Sequence, residues 1–191
     1  PIGPERSVTF DVGLEQEFAG GQARARLSYF HNDFEDLIEF VVLPSDPFFE
    51  ARNVAEARIR GIEAGYDYAG ERWTLDAELA LADPENRTTG EQLLRRPKES
   101  FTLALQRRFA RFDLGASLLA AGERPDVSLL GAPVEVASYV LVDLTAGWRI
   151  TDRVSLRARI ENLFDEDYEL AAGYNTPERG VYLALRYRQS R

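Results

Sequence analysis

A chain of 191 residues has the length of one domain, and its formal net charge of −9 argues against binding to nucleic-acid phosphates. The sequence has no cysteine, which excludes disulfides and thiolate chemistry, and its single histidine, His31, leaves no His-rich metal site. No apolar run reaches the roughly 18 residues that a transmembrane helix needs.

Apolar and polar residues alternate along about nine segments of the chain, which is the periodicity of β-strands with two different surroundings. In chain order, the predicted strands cover residues 8–18, 23–29, 54–68, 73–81, 101–106, 112–118, 140–148, 154–161 and 181–188. Residues 38–42 are expected to prolong the second strand. In the third strand Arg60 shares the parity of the apolar residue Ile62. We therefore expect a bulge near Gly61 or, if the strands cross a membrane, a position for Arg60 above the lipid.

The connections between these strands alternate between two lengths. Tight turns are predicted at 19–21, 69–71, 109–111 and 151–153, and long loops with proline at 33–53, 82–97, 122–137 and 165–180. Outer-membrane barrels keep short turns on one side and long loops on the other. Periodicity alone nevertheless leaves a soluble β-sandwich open, with its apolar faces turned to a core.

Several motifs in the order and spacing found here resemble one known family. They are Pro4-Glu5-Arg6-Ser7 before the first strand, Leu27-Ser28-Tyr29-Phe30 with Asp36-Leu37-Ile38, the segment from Asn53 to Arg60-Gly61-Ile62-Glu63, Leu94-Arg95-Arg96-Pro97, and Asn162-Leu163-Phe164-Asp165 with Tyr168 and a Gly173-Tyr174 loop behind it. Together they resemble the TonB-dependent outer-membrane receptors, and within that family the cobalamin-transporter branch.

The resemblance implies an all-β fold, an antiparallel up-and-down transmembrane barrel of about 22 strands filled by an amino-terminal plug. Residues 1–191 are then expected to be its carboxy-terminal portion, with the plug and the earlier strands outside the chain. The implied location is the outer membrane of a Gram-negative bacterium, and the implied partners are the lipid bilayer, the TonB complex acting through the plug, and a nutrient such as a corrinoid or ferric chelate. The family usually ends on an aromatic residue, whereas Arg188 to Arg191 follow Tyr187 here.

The polar faces of the strands carry charges of both signs, which in a barrel line a wet lumen. The candidate lumen-lining residues are Arg24, Arg26, Asp76, Glu78, Asp143, Arg157 and Arg159. An Arg on the lipid face costs about 2–4 kcal/mol near the midplane, and this fixes which face looks inward. Paired carboxylates such as Asp76 and Glu78 are typical of glycosidases, but lumen charge is the favoured interpretation, and we expect neither catalysis nor a cofactor.

Aromatic and amide side chains in the outside loops are the candidates for ligand contact. They are Phe48, Phe49, Tyr174 and Asn175. The acids Asp165, Glu166, Asp167 and Glu169 suggest calcium only weakly, because the spaced Asp-x-Asp-x-Asp-Gly pattern is missing, and no metal site is predicted. A passive porin is the remaining alternative within the membrane interpretation.

Overall fold

The computed structural model describes residues 2–43, 45, 49–53 and 56–189. Within them thirteen strands form, and Ala19–Gly21 makes one turn of 3₁₀-helix. No helix among these residues is long and apolar enough to cross a bilayer. The strands are β1 (Arg6–Phe18), β2 (Ala23–Glu35), β3 (Ile38–Val42), β4 (Phe49–Asn53), β5 (Glu56–Ala69), β6 (Trp73–Asn86), β7 (Glu99–Arg108), β8 (Phe112–Ala121), β9 (Arg124–Val127), β10 (Pro133–Val136), β11 (Tyr139–Arg149), β12 (Val154–Glu161) and β13 (Gly180–Tyr187).

Nine of the strands that the structure describes form one antiparallel sheet in the order β1-β2-β5-β6-β7-β8-β11-β12-β13. Each main strand pairs with its neighbour along the chain, as in an up-and-down barrel wall. The turns 19–22, 70–72, 109–111 and 150–153 lie at one end, called the tight-turn end. The connections 36–55, 87–98, 122–138 and 162–179 lie at the other, called the long-loop end. The predicted strand count and the alternation of turn lengths are confirmed.

The register separates apolar from polar residues, because directly paired residues lie on the same face of an antiparallel sheet. One row of partners runs Leu14, Leu27, Ala64, Leu79 and Phe101 across five strands. The adjacent row, on the opposite face, runs Glu15, Arg26, Gly65, Glu78 and Thr102. The sheet therefore has an apolar face and a polar face.

The apolar face is not covered by a second layer. Leu14 keeps 78% of its surface exposed and Leu183 keeps 72%, although both lie on that face. In the described part of the chain the buried hydrophobic residues are Ala23, Ala57, Leu93, Val136, Tyr139 and Ala172. A soluble sandwich presses its apolar faces together, so that alternative is not the fold observed.

Two expected features of the loops differ from the structure. Residues 38–42 do not prolong β2; they pair with β4 in a separate hairpin. The chain changes direction at Asp36, whose φ is 57°, and the amide of Asn53 donates to the Asp36 carbonyl at 2.6 Å, which holds the corner. The connection 122–138 also contains a short hairpin, formed by β9 and β10.

The fourth strand continues past its predicted end into the segment expected to be a loop. β6 runs to Asn86 and includes Pro84, which pairs with Ile59 of β5. On its other side β6 stops pairing with β7 at Leu81, opposite Glu99. Pro84 therefore lies beyond the end of the β6–β7 ladder, where no carbonyl of β7 needs its missing N–H.

The bulge expected near Gly61 does not form, since β5 pairs without interruption with both β2 and β6. Gly61 instead leaves room for the ring of Phe30: a Cβ there would lie 2.7 Å from Phe30 Cζ and would also meet the backbone oxygen of Leu81.

We expect Gly61→Ala to destabilise the folded protein by about 1–3 kcal/mol, because the backbone and a ring must move to accept the methyl group. Gly65→Ala is the matched control on the same strand and face. Its added methyl meets the flexible end of Arg26, which can shift. Denaturant unfolding of both variants measures the difference, and equal midpoints would contradict the prediction.

Candidate functional site: the polar face and the long-loop end

An ion network crosses the polar face near the tight-turn end. Arg26 donates from Nη1 to Asp67 Oδ2 at 2.7 Å and from Nη2 to Glu78 Oε1 at 2.9 Å. Arg24 Nη1 lies 3.6 Å from Glu15 Oε1. Arg24 and Arg26, predicted from the sequence, thus join acids on β1, β5 and β6.

Asp76 lies on the same face, since β5 pairs it with Asp67. Asp67 was not among the residues predicted from the sequence. Its place on the polar face could be predicted, because it alternates with Tyr66 and Tyr68 on the apolar face. Its contact with Arg26 could not, because the two residues are 41 positions apart in the sequence. Beside this network a depression of about 450 Å³ is lined by Glu15, Arg26, Glu63, Glu78 and Thr102 among others.

The other predicted polar-face residues form a second, separate group on β11 and β12. Arg159 Nη2 lies 2.6 Å from Glu161 Oε1 and 4.0 Å from Asp143 Oδ2. Asp143 Oδ1 also accepts a hydrogen bond from the backbone N–H of Asn162 at 3.0 Å. Arg157 pairs in register with Gly147 and Ala184 on the same face. The predicted lumen residues therefore share one face but fall into two clusters.

Among the described residues, the most buried charged side chains lie at the long-loop end, and they were not predicted from the sequence. Asp126 in β9 is 1% exposed. Its Oδ1 accepts hydrogen bonds from Arg95 Nε and from the backbone N–H of Val127, each at 2.8 Å. Its Oδ2 accepts one from the backbone N–H of Ala172 at 2.8 Å. One carboxylate thereby joins the loop after β6, the β9 hairpin and the loop before β13.

Burial alone raises the pKa of the Asp126 carboxyl, since it disfavours the charged form. The backbone N–H groups of Ala172 and Val127, followed by the Arg95 guanidinium, outweigh this and hold the pKa below its usual range. Asp126 is therefore ionised at neutral pH and binds all three donors as a carboxylate.

Arg124, two residues before Asp126, also attaches β9 to the loop before β13. It is 5% exposed, and its Nη2 donates to the carbonyls of Glu169 at 2.6 Å and Leu170 at 3.2 Å. Its guanidinium carbon lies 5.4 Å from the centre of the Tyr139 ring, which packs against Tyr168 at 4.9 Å. We call Arg95, Arg124, Asp126, Tyr139, Tyr168 and Ala172 the loop clamp.

The structure describes only some of the side chains that were predicted to contact a ligand. Phe48 lies outside the described residues, and Phe49 is the first residue of β4, with only its backbone described. Tyr174 is 60% exposed, and Asn175, also exposed, bridges to Glu169 in the loop before β13. Their role in ligand contact stays a prediction.

Two of the four acids considered for calcium, Asp165 and Glu169, accept hydrogen bonds from the backbone of their own loop. Asp165 Oδ1 accepts from the backbone N–H of Arg179 at 2.8 Å, and Glu169 Oε2 accepts from that of Gly173 at 3.3 Å. In the ranges that the structure describes, no three Asp, Glu, His or Cys side chains are grouped as they would be around a metal ion.

A nine-stranded sheet with one exposed apolar face, one ionic face and all long loops at one end is a wall of a barrel. Residues 1–163 match the family model described as TonB dependent receptor-like, beta-barrel. The chain therefore belongs to the TonB-dependent receptor-like β-barrel family.

Solved structures of other proteins share this fold. The pyoverdine outer-membrane receptor FpvA of Pseudomonas aeruginosa superposes with a TM-score of 0.80 at 19% identity, over 98% of this chain and 30% of that one. The siderophore receptor PiuA of Acinetobacter baumannii gives 0.75 at 22% identity, over 95% and 28%. The copper transporter OprC gives 0.76 at 25% identity, over 97% and 31%. The chain thus spans about three tenths of these proteins, which their names describe as receptors or a transporter.

Proposed function

We propose that this chain forms part of the wall of a receptor in the outer membrane of a Gram-negative bacterium. The whole receptor imports a scarce, bulky nutrient with TonB energy. The observation that carries the proposal is the uncovered apolar face combined with a charged opposite face. Water on both sides of such a sheet leaves a large apolar area exposed, whereas hydrocarbon on one side and a wet lumen on the other suit both faces.

The height of the apolar face supports a membrane-spanning position. On β6 the apolar row begins at Trp73 and ends at Leu81, and the next residue on that face is Asp83. Asp83 pairs with Arg60, which pairs in register with His31, so the face becomes polar at one level across three strands. Nine residues of tilted strand match the thickness of a bilayer's hydrocarbon core.

The polar face then lines the lumen, and its two charge clusters face the plug that fills the lumen in this family. Acids outnumber arginines around the 450 Å³ depression, where Glu15, Glu63 and Glu78 surround Arg26. A plug segment with basic side chains is the partner that this charge favours. The plug, the remaining strands and the TonB contact belong to parts of the receptor outside this sheet.

We propose a ferric siderophore as the transported nutrient, with a corrinoid as the alternative suggested by the sequence motifs. The proposal rests on the pyoverdine receptor and PiuA, each named for a siderophore, and it takes Tyr174 and Asn175, with Phe48 and Phe49, as loop contacts. A copper transporter of similar fold shows that fold alone does not fix the cargo.

Uptake by cells tests this function. Cells that lack the receptor gene are expected to regain uptake of one labelled ferric siderophore or cobalamin when the full-length receptor is restored, and to lose it again when TonB is deleted. Receptor-dependent uptake that persists without TonB would instead identify a passive porin. If no member of a panel of both ligand classes is taken up, the nutrient assignment is wrong.

A further inference from the structure

A shallow groove crosses the apolar face close to the tight-turn end. Its volume is about 510 Å³, and its lining comes from β6, β7, β8, β11 and β12. Small side chains form the floor, where Ala146 pairs with Ala158 and Ala116 lies on the next strand. Leu105, Leu114, Leu144 and Ile160 stand around them. Five strands at about 4.8 Å spacing give the groove a width of roughly 19 Å.

One cation lies at the end of this groove, on the apolar face. Arg107 pairs in register with Trp73 and Leu114, so it shares their face. Its guanidinium carbon lies 4.7 Å from the centre of the Trp73 ring and 4.6 Å from that of Phe109. Between residues 56 and 189, which the structure describes without a gap, no carboxylate pairs with it.

The position of Arg107 relative to the aromatic residues indicates its depth. Trp73 begins β6, Phe109 lies in the next tight turn along the sheet, and Phe112 stacks on Trp148 at 5.7 Å nearby on the same face. Aromatic residues gather where barrel walls meet the headgroups, and tight turns lie on the periplasmic side. Arg107 is thus at the level of the phosphates of the periplasmic leaflet.

We propose that the groove and Arg107 together bind one phospholipid of the periplasmic leaflet, an inference that rests on the proposed membrane-spanning function. An acyl chain fills the groove over the alanine floor, since in a bilayer only hydrocarbon is available to occupy it. The phosphate accepts hydrogen bonds from the Arg107 guanidinium, whose planar N–H donors match phosphate oxygens. The aromatic rings hold the cation by its π contacts and leave donors for the phosphate.

Native mass spectrometry of the full-length receptor in mild detergent tests this binding, with phosphatidylglycerol as the probe. Arg107→Gln is expected to lower the fraction of receptor that retains one phosphatidylglycerol by about tenfold, the loss for a charge-assisted hydrogen bond. Arg108→Gln is the matched control, because Arg108 pairs with Asp113 on the polar face. It is expected to retain the lipid as the wild type does.

A second variant tests the groove separately from the charge. Ala146→Phe fills the floor, leaves Arg107 in place and is expected to lose the lipid as well. Retention by Arg107→Gln at the wild-type level, or equal loss in Arg108→Gln, overturns the inference. Heat-modifiable migration of the outer-membrane fraction shows whether each variant is an inserted barrel. If the wild type itself is absent from that fraction, the proposed function fails; an inserted Arg107→Gln variant that keeps the lipid refutes only the binding site.

Discussion

Replacing Asp126 by alanine is expected to free the Ala172 part of the loop before β13, while Arg124 still holds Glu169 and Leu170. The substitution leaves the backbone N–H groups of Val127 and Ala172 without their acceptors, and Ala172 is only 8% exposed. Each buried donor without a partner costs about 1–3 kcal/mol, so the loss of two acceptors should lower the local free energy of opening by about 2–6 kcal/mol. Arg95 contributes little to this loss, because its side chain is 56% exposed and regains water.

Hydrogen exchange of the full-length receptor measures this opening. The Ala172 amide is expected to exchange faster in Asp126→Ala, while the amides of β5 and β6 keep their protection. Asp152→Ala serves as the control, since Asp152 is an exposed acid in the turn between β11 and β12. Unchanged exchange at Ala172 would show that the carboxylate does not hold the loop.

The same clamp predicts a dependence on acid. The folded-state pKa of Asp126 is below its usual value of about 3.9, so the folded state favours the ionised form. The stabilisation is therefore complete above that value, and it is lost as the pH falls from there through the folded-state pKa. Exchange at Ala172 should be constant across neutral pH after correction for the intrinsic rate and should rise below about pH 4. Asp126→Ala is expected to lack this acid limb.

The strands of this chain could be predicted from the sequence because period-2 alternation is a local signal. Leu14, Leu27 and Leu79 lie in their own segments at positions that fix the apolar face, and the register then follows from the tight turns. The parity of Arg24, Arg26, Asp76 and Glu78 placed them on the polar face for the same reason. The contact between Arg26 and Asp67 could not be predicted from parity, because it depends on the alignment of two strands whose contacting residues are 41 positions apart in the sequence.

The loop clamp could not be predicted in this way. Arg95 is 31 residues from Asp126 and Ala172 is 46 residues from it, and none of the three belongs to a periodic pattern. In the sequence Asp126 is one acid among 32 in a segment that reads as a loop. Its burial is decided by three loops that meet only after the sheet has formed, which is a tertiary effect without a local signature. Pro84 is a similar case, because a strand accepts it only beyond the point where β7 stops pairing, and that point is set by the tertiary structure.

An arginine placed in the middle of the apolar face should give the largest effect of a single substitution in the sheet. Ala77 is the central residue of the row that runs from Trp73 to Leu81 on β6, and it pairs with Tyr66 and Leu103. If hydrocarbon covers this face, Ala77→Arg places a cation near the bilayer midplane. The expected cost is about 2–4 kcal/mol, and less if the long side chain reaches the headgroups.

The matched control changes the same residue type on the other face of the neighbouring strand. Ala104 on β7 pairs with Asp76 and Ser117, so an arginine at this position meets water and a carboxylate. Ala104→Arg is expected to change stability by about 0.5 kcal/mol or less. Both variants add the same volume and charge, so their difference isolates the medium on each side of the sheet.

The measurement is the folded fraction of the full-length receptor in liposomes over a series of urea concentrations. Heat-modifiable migration on gels distinguishes folded from unfolded receptor. The membrane interpretation requires Ala77→Arg to lose stability and Ala104→Arg to keep it. Similar stability for the two variants would mean that water meets both faces, and the assignment of the apolar face to lipid would fail with it. The opposite order would mean that the sheet presents its ionic side to the bilayer, which the charge clusters around Arg26 and Arg159 make costly.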